Sequence, residues 1–294
     1  MQRVVSPDSP IAILDSGLGG LAVVRHLRSG LPQERILYFG DTARTPYGSK
    51  AADTVTAFVR QIVAFLRKHE PKHLVIACNT ASSLALPAIR AEFAGTLSVS
   101  GVVEPGARAA IDAAGAKAVP LSGILATEAT IWSKSYERAI HRRRHHARLL
   151  LRPAPLLVPL VEEGRGENDP LVKLALQQYL HPIAQRSADV LILGCTHYAL
   201  LKEQIGRVLG KKTLLIDSAE RCAEDVARRL QVTGLLRGGA PGGGELRCFV
   251  TDDAPRFRTL ARRFLGSDVE SPTRVTPDEL YAGAATAEPL RATA

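Results

Sequence analysis

Two segments of this chain end an apolar run on a cysteine and follow it at once with two hydrogen-bonding residues. HLVIACNTASSLAL places Cys78 before Asn79 and Thr80, and DVLILGCTHYALL places Cys195 before Thr196 and His197. Each apolar run reads as a strand and each continuation as a helix, so both thiols are expected at helix N-termini. There the positive end of the helix dipole and the free N–H groups lower a thiol's pKa and favour thiolate. Such a cysteine can take a proton near neutral pH and, once protonated, return one. Two of them on opposite sides of one carbon could remove a proton from one face and deliver another to the other face. That exchange inverts the centre without a redox cofactor. A single cysteine at a strand end is more often a small buried apolar residue than a catalyst. It is the matched pair that points to chemistry, and it reads as a weak internal repeat of two half-structures, each presenting one thiol.

Other strand ends carry polar groups with two readings each. DSGLGG follows the first strand, and Gly17, Gly19 and Ala22 fit the GxGxxA spacing of a dinucleotide fingerprint, with Glu34 downstream for a ribose. Asp15 argues against that use, because its carboxylate would face a pyrophosphate. The same glycines let a small anion approach the backbone while Ser16 donates to it; alternatively Asp15 or Ser16 caps the next helix. FGDTARTPYGSK ends the second strand with Asp41 and a turn through Tyr47 and Gly48, a cover for a site or a plain surface turn. His197 can tune or relay the Cys195 proton, or simply start a helix. Thr127 and Thr130 can bind a carboxylate or cap a helix. Glu162, in LLVPLVEEG, is a surface acid or a site residue.

The elements that must position these groups alternate along the chain. Strand-like IAIL, RILYFG, HLVIA, SVSGVV, GILAT, ARLLL, DVLILG, TLLI and LRCFV are separated by helical patterns. The helices are expected from about Gly20 through Leu27, over Val55–Leu66 with an i, i+3, i+4 apolar stripe, from Thr80, through Ala113, through Ile140, after Cys195, and over Ser218–Leu230. Alternation of this kind gives an α/β fold with mainly parallel sheets flanked by helices, whose ligands bind beyond the carboxyl ends of the strands. Gly234–Gly244 reads as a surface loop and the last dozen residues as a frayed tail.

Composition excludes several classes. The 294 residues suit about two domains, with 46% hydrophobic and 23% charged residues. No apolar run approaches the ~20 residues of a membrane span. The short apolar run near the N-terminus meets Asp15, unlike a signal peptide. Four cysteines without a CxxC pair fit free thiols in the cytoplasm better than disulfides or zinc; Cys222 and Cys248 read as packing residues. The net charge of +9 is concentrated in Arg138–Arg152 around HRRRHHAR, which lacks interleaved aromatics and any DNA-binding motif. A solvated helix end is expected there, with no nucleic-acid partner.

Taken together the motifs resemble the glutamate racemases of the aspartate/glutamate racemase superfamily. DSGLGGL, GDTARTPYGSK, ACNTASSLAL, GVVEPGA, LVPLVEEG and LGCTHYALL occur in the family's order, and FVTDDAPRFRTLARRFLG resembles its closing strand and helix. The pair CNTAS and GCTHY is the specific part. The resemblance implies two similar α/β domains, residues 1–99 with 216–294 and residues 100–215, and a site in the cleft between them. It implies no pyridoxal phosphate, metal or nicotinamide. By position Cys78 and Cys195 match the acid/base cysteines, Asp15 and His197 the residues that assist them, and Asp41 and Glu162 further acidic site residues. Ser16, Tyr47, Gly48, Asn79, Thr80, Thr127 and Thr196 match substrate-binding positions, with Asp15 and His197 beside them. Hydroxyls, amides and helix N-termini, rather than arginine, would hold the substrate carboxylates. A cytoplasmic homodimer supplying D-glutamate for peptidoglycan, and through it for cell shape, is also implied. Ala129 stands where the family usually has glycine and Ala199 where it usually has proline, which bears on rate or fine specificity. Aspartate racemases are the nearest enzymatic alternative, although they usually lack the HY after GCT. A non-catalytic small-anion-binding protein of the same fold is the alternative from another class.

Overall fold

The computed structural model describes residues 5–115, 117, 119–166, 168–239, 243–252 and 254–285. The chain opens with β1 (Ile11–Asp15), α1 (Leu21–Gly30), β2 (Ile36–Gly40), α2 (Ala52–Arg67), β3 (His73–Ile76), α3 (Asn79–Leu84), α4 (Leu86–Glu92) and β4 (Val99–Gly101). It crosses to a second sheet through α5 (Val103–Ala113), β5 (Leu121–Ala126), α6 (Glu128–Trp132), α7 (Ser135–His141), β6 (Arg148–Pro153), α8 (Leu157–Glu162), α9 (Pro170–Gln185), β7 (Val190–Gly194), α10 (Lys202–Leu209) and β8 (Leu214–Asp217). It returns by α11 (Ser218–Val232), β9 (Leu246–Val250), α12 (Ala254–Leu265), β10 (Thr273–Arg274) and α13 (Pro277–Ala285).

The first sheet runs β10-β9-β2-β1-β3-β4 and the second β6-β5-β7-β8, with every pairing parallel. Helices cover both faces, which is why β1, β2, β3 and β7 are buried along their whole length and read as unbroken apolar runs. The stripe foreseen on α2 is its buried face, through Val55, Val59, Ile62, Val63 and Leu66. Each such side chain contributes roughly 1.5–3 kcal/mol on leaving water. The repeat is visible in the topology. Four strands of the first sheet, β2-β1-β3-β4, have the same order as β6-β5-β7-β8, and each cysteine follows the third strand of its set. In such an order the crevice opens where the chain direction reverses, between the first and third strands. Asp15 and Cys78 flank that point in one sheet, and Thr127 and Cys195 flank it in the other.

Several expected elements differ. Val99–Gly101 is the whole of the fourth strand, because Val103 already opens α5. The helix expected through Ile140 is two short ones, broken at Lys134, whose φ is +54°. Cys195 leads into a 3-10 turn over Thr196–Leu201 before α10 begins, so its helix dipole is weaker than expected. The boundaries at 99/100 and 215/216 both fall inside a strand, β4 and β8 respectively. The basic run spans the end of α7, the turn after it and β6, and in the turn Arg144 donates to the Gly115 and Lys117 carbonyls and Arg142 pairs with Glu104. Within Gly234–Gly244 the described residues after α11 form no helix or strand. The expected tail starts inside α13, and its remainder, 286–294, lies outside the described residues. Among the described residues no helix is long and apolar enough to cross a membrane.

Candidate active site

Cys78 is the N-cap of α3, its sulfur accepting from the Ala81 N–H at 3.5 Å. It is only 6% exposed. The expectation that the helix end would lower its pKa is overturned. Burial pushes the thiol up to about 12, the Asp15 charge adds to this, and the Ser16 hydroxyl and Ala81 N–H oppose it only in part. A six-residue helix offering one long N–H···S contact does not replace lost hydration. The resting Cys78 is a neutral thiol.

Asp15 ends β1 beside it and is fully buried. Its Oδ2 accepts from the Gly17 N–H at 2.9 Å, while Oδ1 has no hydrogen-bond partner among the described residues. Burial raises this carboxyl above its ordinary value, against the pull of His197 and of the Gly17 and Gly20 N–H groups. It is a proton acceptor within electrostatic reach of the Cys78 sulfur.

On the other side Cys195, 7% exposed, stands 3.9 Å from His197 Nδ1. The far ring nitrogen, Nε2, meets Glu162 Oε1 at 3.0 Å, and Phe264 packs edge-on against the ring. Burial alone would lower the His197 pKa, but the Cys195 sulfur and Glu162 outweigh it and raise it to about 10. The ring is therefore an imidazolium at neutral pH. Gly19 permits this assembly: a Cβ there would lie 2.1 Å from Thr196 Oγ1 and 2.7 Å from His197 Nδ1. The two clusters are one. Cys195 acts electrostatically on Cys78, and His197 and Glu162 act on Asp15.

Around the thiols lies a shell of neutral donors. Thr80 Oγ1 is 2.9 Å from Thr127 Oγ1 and 3.3 Å from Thr130 Oγ1, so three hydroxyls from α3 and the β5–α6 junction converge. Gly48 lets the Tyr47 turn lie against Thr127, since a Cβ there would be 2.8 Å from Thr127 Cβ. Thr196, Asn79 and Ser16 are buried in the same region. Asp41 is the exception among the predicted acids. Arg44, Tyr47 and Thr251 occupy its carboxylate, so it holds the Tyr47 turn rather than facing the sulfurs. Cys222 and Cys248 are buried in α11 and β9.

Sequence reasoning missed Arg44, Thr251, Tyr136 and Ser218. Ser218 had a signal, since it directly follows the strand end TLLID; Tyr136, in the first turn of α7, had none. A cavity of about 170 Å³, lined in part by Gly17, Thr45, Glu162 and Phe257, reaches the Glu162 side of the cluster. Among the described residues no group of three or more His, Cys, Asp or Glu side chains could hold a metal ion.

A sequence profile of the Asp/Glu/Hydantoin racemases matches residues 20–226. The chain belongs to the Asp/Glu/Hydantoin racemase family. This racemase-family chain is 44% identical over 261 residues to a glutamate racemase of Neisseria meningitidis serogroup A, an alignment covering 89% of it and 94% of the relative. A solved glutamate racemase isoform from Bacillus anthracis is similar at a TM-score of 0.84 and 38% identity, covering 91% of this chain and 97% of that one. A glutamate racemase from Francisella tularensis, solved in complex with D-glutamate, has a TM-score of 0.84 at 34% identity, covering 92% and 98%. The profile's span includes both cysteines of the racemase-family site, with His197 and Glu162.

Proposed function

We propose that the chain interconverts L- and D-glutamate by passing the α-proton between the two thiols, with no cofactor. The observation that carries this is the pairing of Cys78 and Cys195 at equivalent strand ends of two like-ordered sheets, buried in one cluster with a different partner each. The α-proton of an amino acid is weakly acidic, so a base on one face must work with an acid on the other. The His197 imidazolium, held by Glu162, stands 3.9 Å from the Cys195 sulfur, which we assign as the base on that face. Cys78, a neutral thiol, is the matching acid. For the opposite enantiomer the roles exchange, with Asp15 taking the Cys78 proton.

Glutamate as substrate is supported by the relatives, which are glutamate racemases aligned over most of their length. The neutral hydroxyl and amide shell of Thr80, Thr127, Thr196, Asn79 and Ser16 suits substrate carboxylates without bringing a competing base. Asp41 acts through Tyr47 and Gly48, as a positioning residue. We take the two sheets as the cores of two domains, exchanging after β4 and β8, with the site between them. A cytoplasmic homodimer that supplies D-glutamate for peptidoglycan completes the proposal on family resemblance. The test is circular dichroism of purified protein given D-glutamate, D-aspartate and D-alanine in turn without added cofactor. Fastest loss of signal with D-glutamate supports it; faster turnover of aspartate, or dependence on an added cofactor, sinks it.

A further inference from the structure

Asn79, the residue after Cys78, sits in a buried hydrogen-bond chain with a fixed direction. The Tyr136 hydroxyl donates to Asn79 Oδ1 at 2.7 Å, Asn79 Nδ2 donates to Ser218 Oγ at 3.2 Å, and Ser218 donates to the Leu193 carbonyl at 2.8 Å. Asn79, Tyr136 and Ser218 are at most 2% exposed, so water does not substitute for a lost partner. The direction follows from the donor inventory. A carbonyl only accepts, so Leu193 takes the single proton of Ser218. Ser218 Oγ is then an acceptor toward Asn79 and requires the amide nitrogen. The amide oxygen must face Tyr136, whose phenol is kept neutral and donating by its burial. Of the two Nδ2 protons one goes to Ser218, and this chain of bonds does not use the other.

The chain also spans the fold. Tyr136 lies on α7, Ser218 opens α11 directly after the β8 crossing, and Leu193 is in β7, the strand that delivers Cys195. Gly106 of α5 leaves room for it: a Cβ there would be 3.3 Å from the Tyr136 oxygen and 3.4 Å from Ser218 Cβ. A single polar thread thus joins the residue after one thiol to the strand before the other.

We propose that Tyr136 and Ser218 are positioning residues that lock the Asn79 side-chain amide in one of its two orientations. The locked amide offers an N–H, and never its oxygen, to a substrate carboxylate beside Cys78. The substrate part rests on the glutamate reading above; the amide orientation does not. A flipped amide would replace attraction to a carboxylate by repulsion between oxygens. Hydrogen bonds to charged groups are the stronger class, so loss of this one weakens binding about ten- to a hundredfold.

The test is a double-mutant cycle with Tyr136→Phe and Asn79→Ala on the whole protein. Tyr136→Phe is expected to raise KM for both glutamate enantiomers by about tenfold or more, with kcat changed far less. In the Asn79→Ala background the same change should add nothing, because its effect passes through the amide. An unaltered KM in folded Tyr136→Phe, or full additivity with Asn79→Ala, overturns the proposal. If Tyr136→Phe does not fold, Ser218→Ala takes its place in the same cycle. The Asn79 side-chain amide resonances of the ligand-free protein, assigned by their loss in Asn79→Asp, give a readout without substrate. They should shift in Tyr136→Phe, and unshifted resonances also overturn the proposal. Wild type that shows those shifts but neither binds nor racemises glutamate would instead remove the substrate reading and leave the orientation standing.

Discussion

His197 Nδ1 stands 3.9 Å from the Cys195 sulfur, and the ring's other nitrogen is held by Glu162 at 3.0 Å. A buried imidazolium between a sulfur and a carboxylate sets the charge of the Cys195 half of the site. Cys78 has the buried Asp15 carboxylate within electrostatic reach instead. The two thiols thus have different partners although the strands that carry them are equivalent, and the proposed division into one base and one acid rests on that asymmetry.

The His197 charge should be visible in stability against pH. Its folded pKa is raised from 6.5 to about 10, so its contribution is fully present below the unfolded value. It is lost as pH rises between those two values and is gone above the higher one. Thermal melts of wild type and Glu162→Gln should differ most near pH 6 and converge toward pH 10, values set by the ordinary and raised pKa. The wild-type His197 ring should show no titration by NMR across the ordinary histidine range. A midpoint there would remove the imidazolium from the mechanism.

Gly19→Ala should cost activity as well as stability. The new methyl would lie 2.1 Å from Thr196 Oγ1 and 2.7 Å from His197 Nδ1, both buried, so these groups must shift, and their displacement misplaces the group beside Cys195. A shift of about 1 Å near reacting atoms can cost on the order of a hundredfold in rate. Turnover and a melting curve on one preparation decide it. Gly30→Ala is the control, because nothing lies near its Cβ position; it should leave kcat within a factor of about two, as a surface change does.

The basic turn is expected to be dispensable. Changing Arg142, Arg143 and Arg144 together to Gln removes the Arg144 bonds to the Gly115 and Lys117 carbonyls, all exposed. The stability cost should stay within about 1 kcal/mol. Turnover should be unchanged. Salt-sensitive nucleic-acid binding that disappears in the triple variant would reveal a second function and defeat this expectation.

The site was legible in the sequence where its chemistry sits at strand ends. Asp15, Cys78, Thr127 and Cys195 each follow an apolar run, and the structure brings them to the reversal points of two parallel sheets. What was not legible comes from pairing across the fold. Ser218 meets Asn79, Thr251 meets Asp41, and Tyr136 reaches Asn79 from the first turn of α7, contacts that no local pattern encodes. The state of Cys78 was misread for a related reason. Helix position is local and visible in the sequence, whereas desolvation depends on everything packed around the sulfur, and here it outweighs the helix end. The run ARLLL looks fully buried by composition, yet β6 is an edge strand and lies half-exposed.

The two-thiol mechanism makes the most demanding prediction. One base without an acid opposite can at best exchange a proton on its own face, so inversion needs both groups. Cys78→Ala and Cys195→Ala should each abolish racemisation and leave the fold intact, since each removes only a sulfur. Cys222→Ala and Cys248→Ala should cost at most ~1–3 kcal/mol of stability, as core changes do, and spare activity. Iodoacetamide should label ligand-free Cys78 slowly at neutral pH, because thiolate is the reacting form and this thiol is pushed up to about 12. In deuterated water the acid that completes inversion carries solvent deuterium. The base holds the abstracted proton, which returns to the same face if the reaction reverses. Early deuterium should therefore appear at the α-carbon of the product enantiomer and not of recovered substrate. Early label mainly in recovered substrate would mean one base serving both faces, and the pairing of Cys78 with Cys195 would lose its mechanistic meaning.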